Sequence, residues 1–158
     1  MIKEDNLKIL NNPVSLLASC CGIGMSPIAP ATMGSLFAML CFYLTLDFGE
    51  NIQTIIFFVL IISGFWICDK SAKALNHHDH SSIVWDEASV MYGILLFIDF
   101  LPIDWVIAFL LFRFFDIFKP WPINYVDKKI GGGLGIMLDD ILAGLATVIT
   151  YEVVKLFF

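Results

Sequence analysis

Charge is what this sequence has least of. Only 15% of its 158 residues are Asp, Glu, Lys or Arg, against roughly 25% in ordinary soluble domains. Basic residues are the scarcer kind, nine against fifteen acidic ones. The resulting net charge of −6 argues against a nucleic-acid binder, which needs clustered Lys and Arg to neutralise phosphates. Cysteine is sparse as well. Cys20, Cys21, Cys41 and Cys68 form no Cys-x-x-Cys pair, which excludes a disulfide framework and a thiolate metal centre. None opens the Cys-x5-Arg loop of a cysteine phosphatase, so they read as small hydrophobes. A cleavable leader is not expected either. Glu4 and Asp5 stand where a basic region would be, and the apolar run that follows is short.

What remains is apolar. Hydrophobic residues make up 59% of the chain, which holds fifteen Phe and four Trp and has a mean hydropathy of +0.85. A water-soluble domain of this size would have to hide that surface in an oligomer, so a membrane protein is expected, as a single domain over residues 1–158. Residues 7–21, broken by Asn11, Asn12 and Pro13, suit an interfacial helix. Five apolar runs follow, at 33–46, 52–68, 86–101, 103–118 and 138–157. The expected fold is therefore all-α, a polytopic integral membrane bundle of about five hydrophobic helices. Several runs are short for full spans, which leaves room for one re-entrant pair. If all five cross, Lys3, Lys8, Lys70, Lys73, Lys119, Lys128 and Lys129 share one side, and the opposite turns, 47–51 and 99–104, carry Asp and Glu but no Lys or Arg. The positive-inside rule makes the first side cytoplasmic, with Lys155 the exception.

The ionisable groups that do occur are concentrated on that side. The stretch 113–144 gathers Arg113, Asp116, Lys119, Asp127, Lys128, Lys129, Asp139 and Asp140 between two apolar runs. Charges near hydrocarbon are costly, and by default they mark a paired or functional constellation. Asp86–Glu87 and Asp139–Asp140 each stand near the start of an apolar run, where capping of a helix N-terminus is the plain explanation. Two such pairs on one face, joined by Asp116, instead suit Mg²⁺, a hard cation held by carboxylates and substrate phosphate. Arg113 and Asp116 are spaced for an ion pair on one helix face. Arg113, Lys119 and Lys128 are candidates for phosphate oxygens, and Lys128 and Lys129 alternatively face anionic headgroups. Residues 22–35, GIGMSPIAPATMGS, form a loop offering the hydroxyls of Ser26, Thr32 and Ser35 and glycine amides that can face an anion, or else a simple connector. Gly131, Gly132, Gly133 and Gly135 read as a flexible loop. His77, His78 and His80 lack soft-ligand company, and Asp79 is the stronger candidate among them.

Three blocks now carry a resemblance: GIGMSPIAPATMGS, HDHSSIVWDE and FRFFDIFKPWPINYVDKKIGGGLGIMLDDILAG. In order and over nearly the whole length, from Gly22 to about Tyr151, the chain resembles the phosphatidylglycerophosphatase A family of bacterial membrane lipid phosphatases. The resemblance implies Mg²⁺-dependent hydrolysis of phosphatidylglycerophosphate to phosphatidylglycerol and phosphate, at the cytoplasmic face of the inner membrane. It places Asp86, Glu87, Asp116, Asp139 and Asp140 as metal ligands and catalytic groups, with Arg113 and Lys119 on the phosphate. Ala31 and Val90 stand where the family usually has glycine. A CDP-alcohol phosphotransferase would need a DGxxAR…GxxxD…D pattern, which is missing. A carboxylate-lined cation channel or transporter subunit would spread its acidic residues through the mid-depth of the spans.

Overall fold

The computed structural model describes residues 2–77 and 80–157. Among these are eight α-helices and no strand: α1 (Ile2–Asn11), α2 (Pro13–Ala18), α3 (Pro30–Leu44), α4 (Glu50–Leu75), α5 (Trp85–Ile94), α6 (Pro102–Phe118), α7 (Ile123–Lys129) and α8 (Gly132–Lys155). Punctuation in the sequence explains most boundaries. Pro13, Pro30 and Pro102 open α2, α3 and α6, where the missing N–H costs nothing. Asn12 caps α2 by accepting the amide of Val14 at 3.0 Å, and Asn76 closes α4 in the left-handed region.

The helices α4 and α8 are long and apolar enough to cross a membrane, and α3 is apolar but shorter. They pack antiparallel. The Gly133 amide donates to Asp69 Oδ1 at 3.4 Å, which sets the start of α8 beside the end of α4. About one turn further along α8, Met137 lies against Gly64. At the opposite end of the bundle, Lys155 pairs with Asp99 at 2.5 Å. That ion pair accounts for the one lysine on the acidic side.

The run 86–101 is not a full-length helix. The helix α5 holds ten residues, about 15 Å, or half the hydrocarbon thickness. It starts deep in the bundle, where Trp85 Nε1 donates to the carbonyl of Leu60 at 3.1 Å, and ends near Asp99. The chain reaches that depth as non-helical backbone, with Ser82, Ile83 and Val84 all buried. The fifteen-residue α3 accompanies it, with Gly34 against Val84 at one end and Thr45 Oγ1 2.8 Å from Tyr92 Oη at the other. Two of the five apolar runs are thus short helices, and α5 is fed by buried irregular chain. Such chain is tolerated at that depth because neighbouring protein covers it.

The interior mixes polar groups with apolar ones, while large apolar side chains face outward. Asp86 to Ile94 are all buried, together with Ser15, Ser35, Ser71, Gln53 and Thr147. Leucines, isoleucines and phenylalanines of α3, α4, α6 and α8, such as Leu40, Ile62, Leu110 and Ile149, face outward. One buried apolar cluster includes Phe42, Met91, Tyr92, Phe112 and Tyr151, and a second includes Ile67, Cys68, Leu75, Ile83 and Met137.

Candidate active site

The acidic pair of α5 sits in its first turn, directly after the buried entry segment. The pair of α8 does not start its helix. Asp139 and Asp140 lie two turns beyond Gly132, so capping explains neither of them. Gly132, Gly133 and Gly135 belong to the first turn of α8 rather than to a flexible loop. Their lack of side chains serves packing. A Cβ on Gly133 would stand 2.3 Å from the Phe65 carbonyl oxygen.

Adjacent residues on a helix diverge by about 100°, and Asp139 and Asp140 accordingly take different partners. Oxygens of Asp140, Asp86 and Glu87 lie within 4.8 Å of one another, and all three residues are buried. Asp116 of α6 adjoins Asp140, and Arg113, the chain's one arginine, pairs with Asp116 at 2.7 Å, both side chains 12% exposed. Arg113 is also among the charges that act on Glu87. Asp139 turns instead to Lys119, which bridges it to Asp127, the second contact being 2.6 Å. Burial disfavours the Lys119 ammonium, but the carboxylates of Asp127 and Asp139 outweigh it and hold its pKa above the usual lysine range. Lys119 is therefore a fixed cation beside the cluster. Asp127, whose charge was visible in the sequence, gains its role only from this contact.

The remaining candidates are spread out. Ser26 is engaged locally, its Oγ donating to the Ile28 carbonyl at 2.9 Å, and Thr32 lies half-buried in the first turn of α3. Lys128 is exposed on α7 and lines a surface pocket with Trp121, Asn124, Tyr125 and Lys129. In the 22–35 loop, the amides of Gly22 and Gly24 donate to the Ser19 carbonyl at 3.2 and 2.9 Å, and so do not point at an anion. The glycines there let the loop press on the segment leading into α5, since a Cβ on Gly24 would come within 2.2 Å of the Ser82 carbonyl oxygen. The first block thus positions Asp86 and Glu87. His77 and His80 stack edge to face at 5.6 Å, whereas His78 and Asp79 lie outside the described residues.

The donor set is wholly carboxylate oxygen, and one oxygen each of Glu87 and Asp140 is buried with no hydrogen-bond partner among the described residues. Three buried carboxylates so close repel one another unless a cation or protons intervene. The set fits a hard divalent ion. Among the described residues the buried acidic groups, Asp86, Glu87, Asp139 and Asp140, all belong to this cluster and its lysine bridge.

Residues 16–155 match the model of the phosphatidylglycerophosphatase A family. The chain belongs to that family. It is 42% identical over 145 residues to the phosphatidylglycerophosphatase A of Escherichia coli K12, covering 91% of this chain and 84% of that protein. Identity to the phosphatidylglycerophosphatase A of Haemophilus influenzae Rd is also 42%, over 153 residues and 94% of each chain. No solved structure matches. Its relatives are lipid phosphatases by name, that is, phosphoric monoester hydrolases. The cluster draws on two of the blocks that carry the resemblance, Asp86 and Glu87 from the second, Arg113, Asp116 and Asp140 from the third.

Proposed function

We propose that the protein is a Mg²⁺-dependent phosphatidylglycerophosphatase that removes the terminal phosphate of phosphatidylglycerophosphate to give phosphatidylglycerol in phospholipid biosynthesis. The observation that carries this reading is the buried meeting of Asp86, Glu87 and Asp140, in a chain of this family. These three would hold the ion, with Asp116 at their side. Bound there, Mg²⁺ would neutralise phosphoryl oxygens and lower the pKa of a water molecule.

The chain's own residues supply the rest. Arg113, oriented by Asp116, is the phosphate donor nearest the cluster, and a guanidinium suits two oxygens at once. Lys119 adds positive charge from the Asp139 side and leaves Asp86, Glu87 and Asp140 to the ion, because its ammonium is held by Asp127 and Asp139. Burial keeps bulk water from the carboxylates, which strengthens each of these interactions.

We place the protein in the bacterial cytoplasmic membrane as a multi-pass chain. The passes through α4 and α8 are joined by shorter ones through α3, α5 and α6. The end bearing Lys70, Lys73, Lys119, Lys128 and Lys129 faces the cytoplasm. A channel subunit is not favoured, since the buried acidic groups gather in one place beside Lys119 and Arg113.

Phosphate release from phosphatidylglycerophosphate by the purified protein tests the reaction. Release with Mg²⁺ that EDTA abolishes is expected. Release indifferent to EDTA would remove the metal, and no release would remove the substrate.

A further inference from the structure

Past the carboxylates, the seam between α5 and α8 turns apolar. Helical spacing puts Val90 one turn beyond Asp86 and Glu87, and Gly144 one turn beyond Asp140. The two meet, since a Cβ on Gly144 would lie 2.5 Å from Val90 Cγ1. Beside this contact a cavity of about 250 Å³ opens between α4, α5 and α8. Phe57 and Ile61 line it from α4, Gly93 and Phe97 from the α5 side, and Ile141 and Val148 from α8. Ile141 directly follows Asp140 in the chain, while Phe97 and Leu145, at 61% and 56% exposure, open the cavity onto the outer apolar surface. Glycine keeps the space open. A Cβ on Gly93 would stand 2.2 Å from the Phe57 ring.

We propose that this groove holds one acyl chain of the lipid whose phosphomonoester is cleaved at Asp86, Glu87 and Asp140. The proposal rests on the lipid-phosphatase reading of the same site. The groove shares its helices and its faces with the carboxylates, begins one turn from them, and leads outward to the bilayer. Its lining residues are all apolar or glycine, so it has no partner for a headgroup, whereas methylenes bury there without desolvation cost. Seating one chain fixes the distance from glycerol backbone to phosphate, which turns binding energy of a non-reacting part into positioning.

The test compares dioleoyl phosphatidylglycerophosphate with its deacylated headgroup as substrates, in wild type and in Val148→Trp, Val148→Ala and Ile62→Trp. Val148→Trp fills the groove. Ile62→Trp adds the same bulk on α4 at a position 68% exposed and outside the groove. The ratio of kcat/KM for lipid over headgroup should fall about tenfold or more in Val148→Trp, and stay near wild type in Ile62→Trp. Val148→Ala should preserve the lipid preference while tolerating bulkier, branched chains. Activity on the headgroup shows that each variant is folded. An unchanged ratio in Val148→Trp would overturn the proposal, as would an equal fall in Ile62→Trp, which would point to ordinary bilayer contact. A wild type inactive on both substrates would instead overturn the underlying enzymatic reading.

Discussion

Asp139 and Asp140 are neighbours in sequence with different work to do. Asp140 faces Asp86 and Glu87, whereas Asp139 faces Lys119. Asp140→Asn should therefore lower kcat by more than about 100-fold, while Asp139→Asn, which disturbs only an orienting ion pair, should cost about 10- to 100-fold. Steady-state phosphate release in detergent measures both, and equal losses would remove the distinction. In the sequence the two carboxylates looked equivalent, because their separation depends on where α8 begins. The glycines at 131–135, poor helix formers in isolation, masked that start. Tertiary packing against Phe65 and Asp69 overrides the propensity. Arg113 with Asp116 was legible from spacing alone, since both belong to one helix. The contact of Lys119 with Asp127 and Asp139 joins the end of α6 to α7 and α8 and has no local signature.

At the level of elements, α5 is the piece around which the others are arranged, and its length was the least legible. An apolar run buried on every side shows no helical periodicity, so nothing in 86–101 marks the stop at Ile94. The helix is held by close approaches that glycine allows, with Gly34 and Gly24 behind its entry segment and Gly144 beside Val90. The contact of Gly133 with α4 has little freedom, because its nearest atom is a backbone carbonyl oxygen. Gly133→Ala should destabilise the bundle by about 1–3 kcal/mol, read as a lower thermal midpoint in detergent. Gly93→Ala should cost less, since the Phe57 ring that it meets can swing outward. A Gly133→Ala midpoint equal to wild type would contradict the α4–α8 contact.

The whole molecule turns many large apolar side chains outward and buries a set of acidic and hydroxyl groups beside its two apolar clusters, an arrangement that suits a bilayer. The five apolar runs of the sequence resolve into two helices long and apolar enough to span and several shorter ones, yet the chain still alternates between two ends of the bundle. The lysine-rich end should face the cytoplasm. In a Cys21→Ser background, a membrane-impermeant thiol reagent should label Lys128→Cys in inverted vesicles and Asp47→Cys in right-side-out ones. The reverse pattern would invert the topology.

The central claim is that Asp86, Glu87 and Asp140 together bind a divalent cation, and Mn²⁺ titration of the purified protein followed by EPR tests it most directly. Wild type should take up Mn²⁺ in competition with Mg²⁺, and Asp140→Asn should lose that uptake while Asp139→Asn retains it. Equal uptake by wild type and Asp140→Asn would contradict the account.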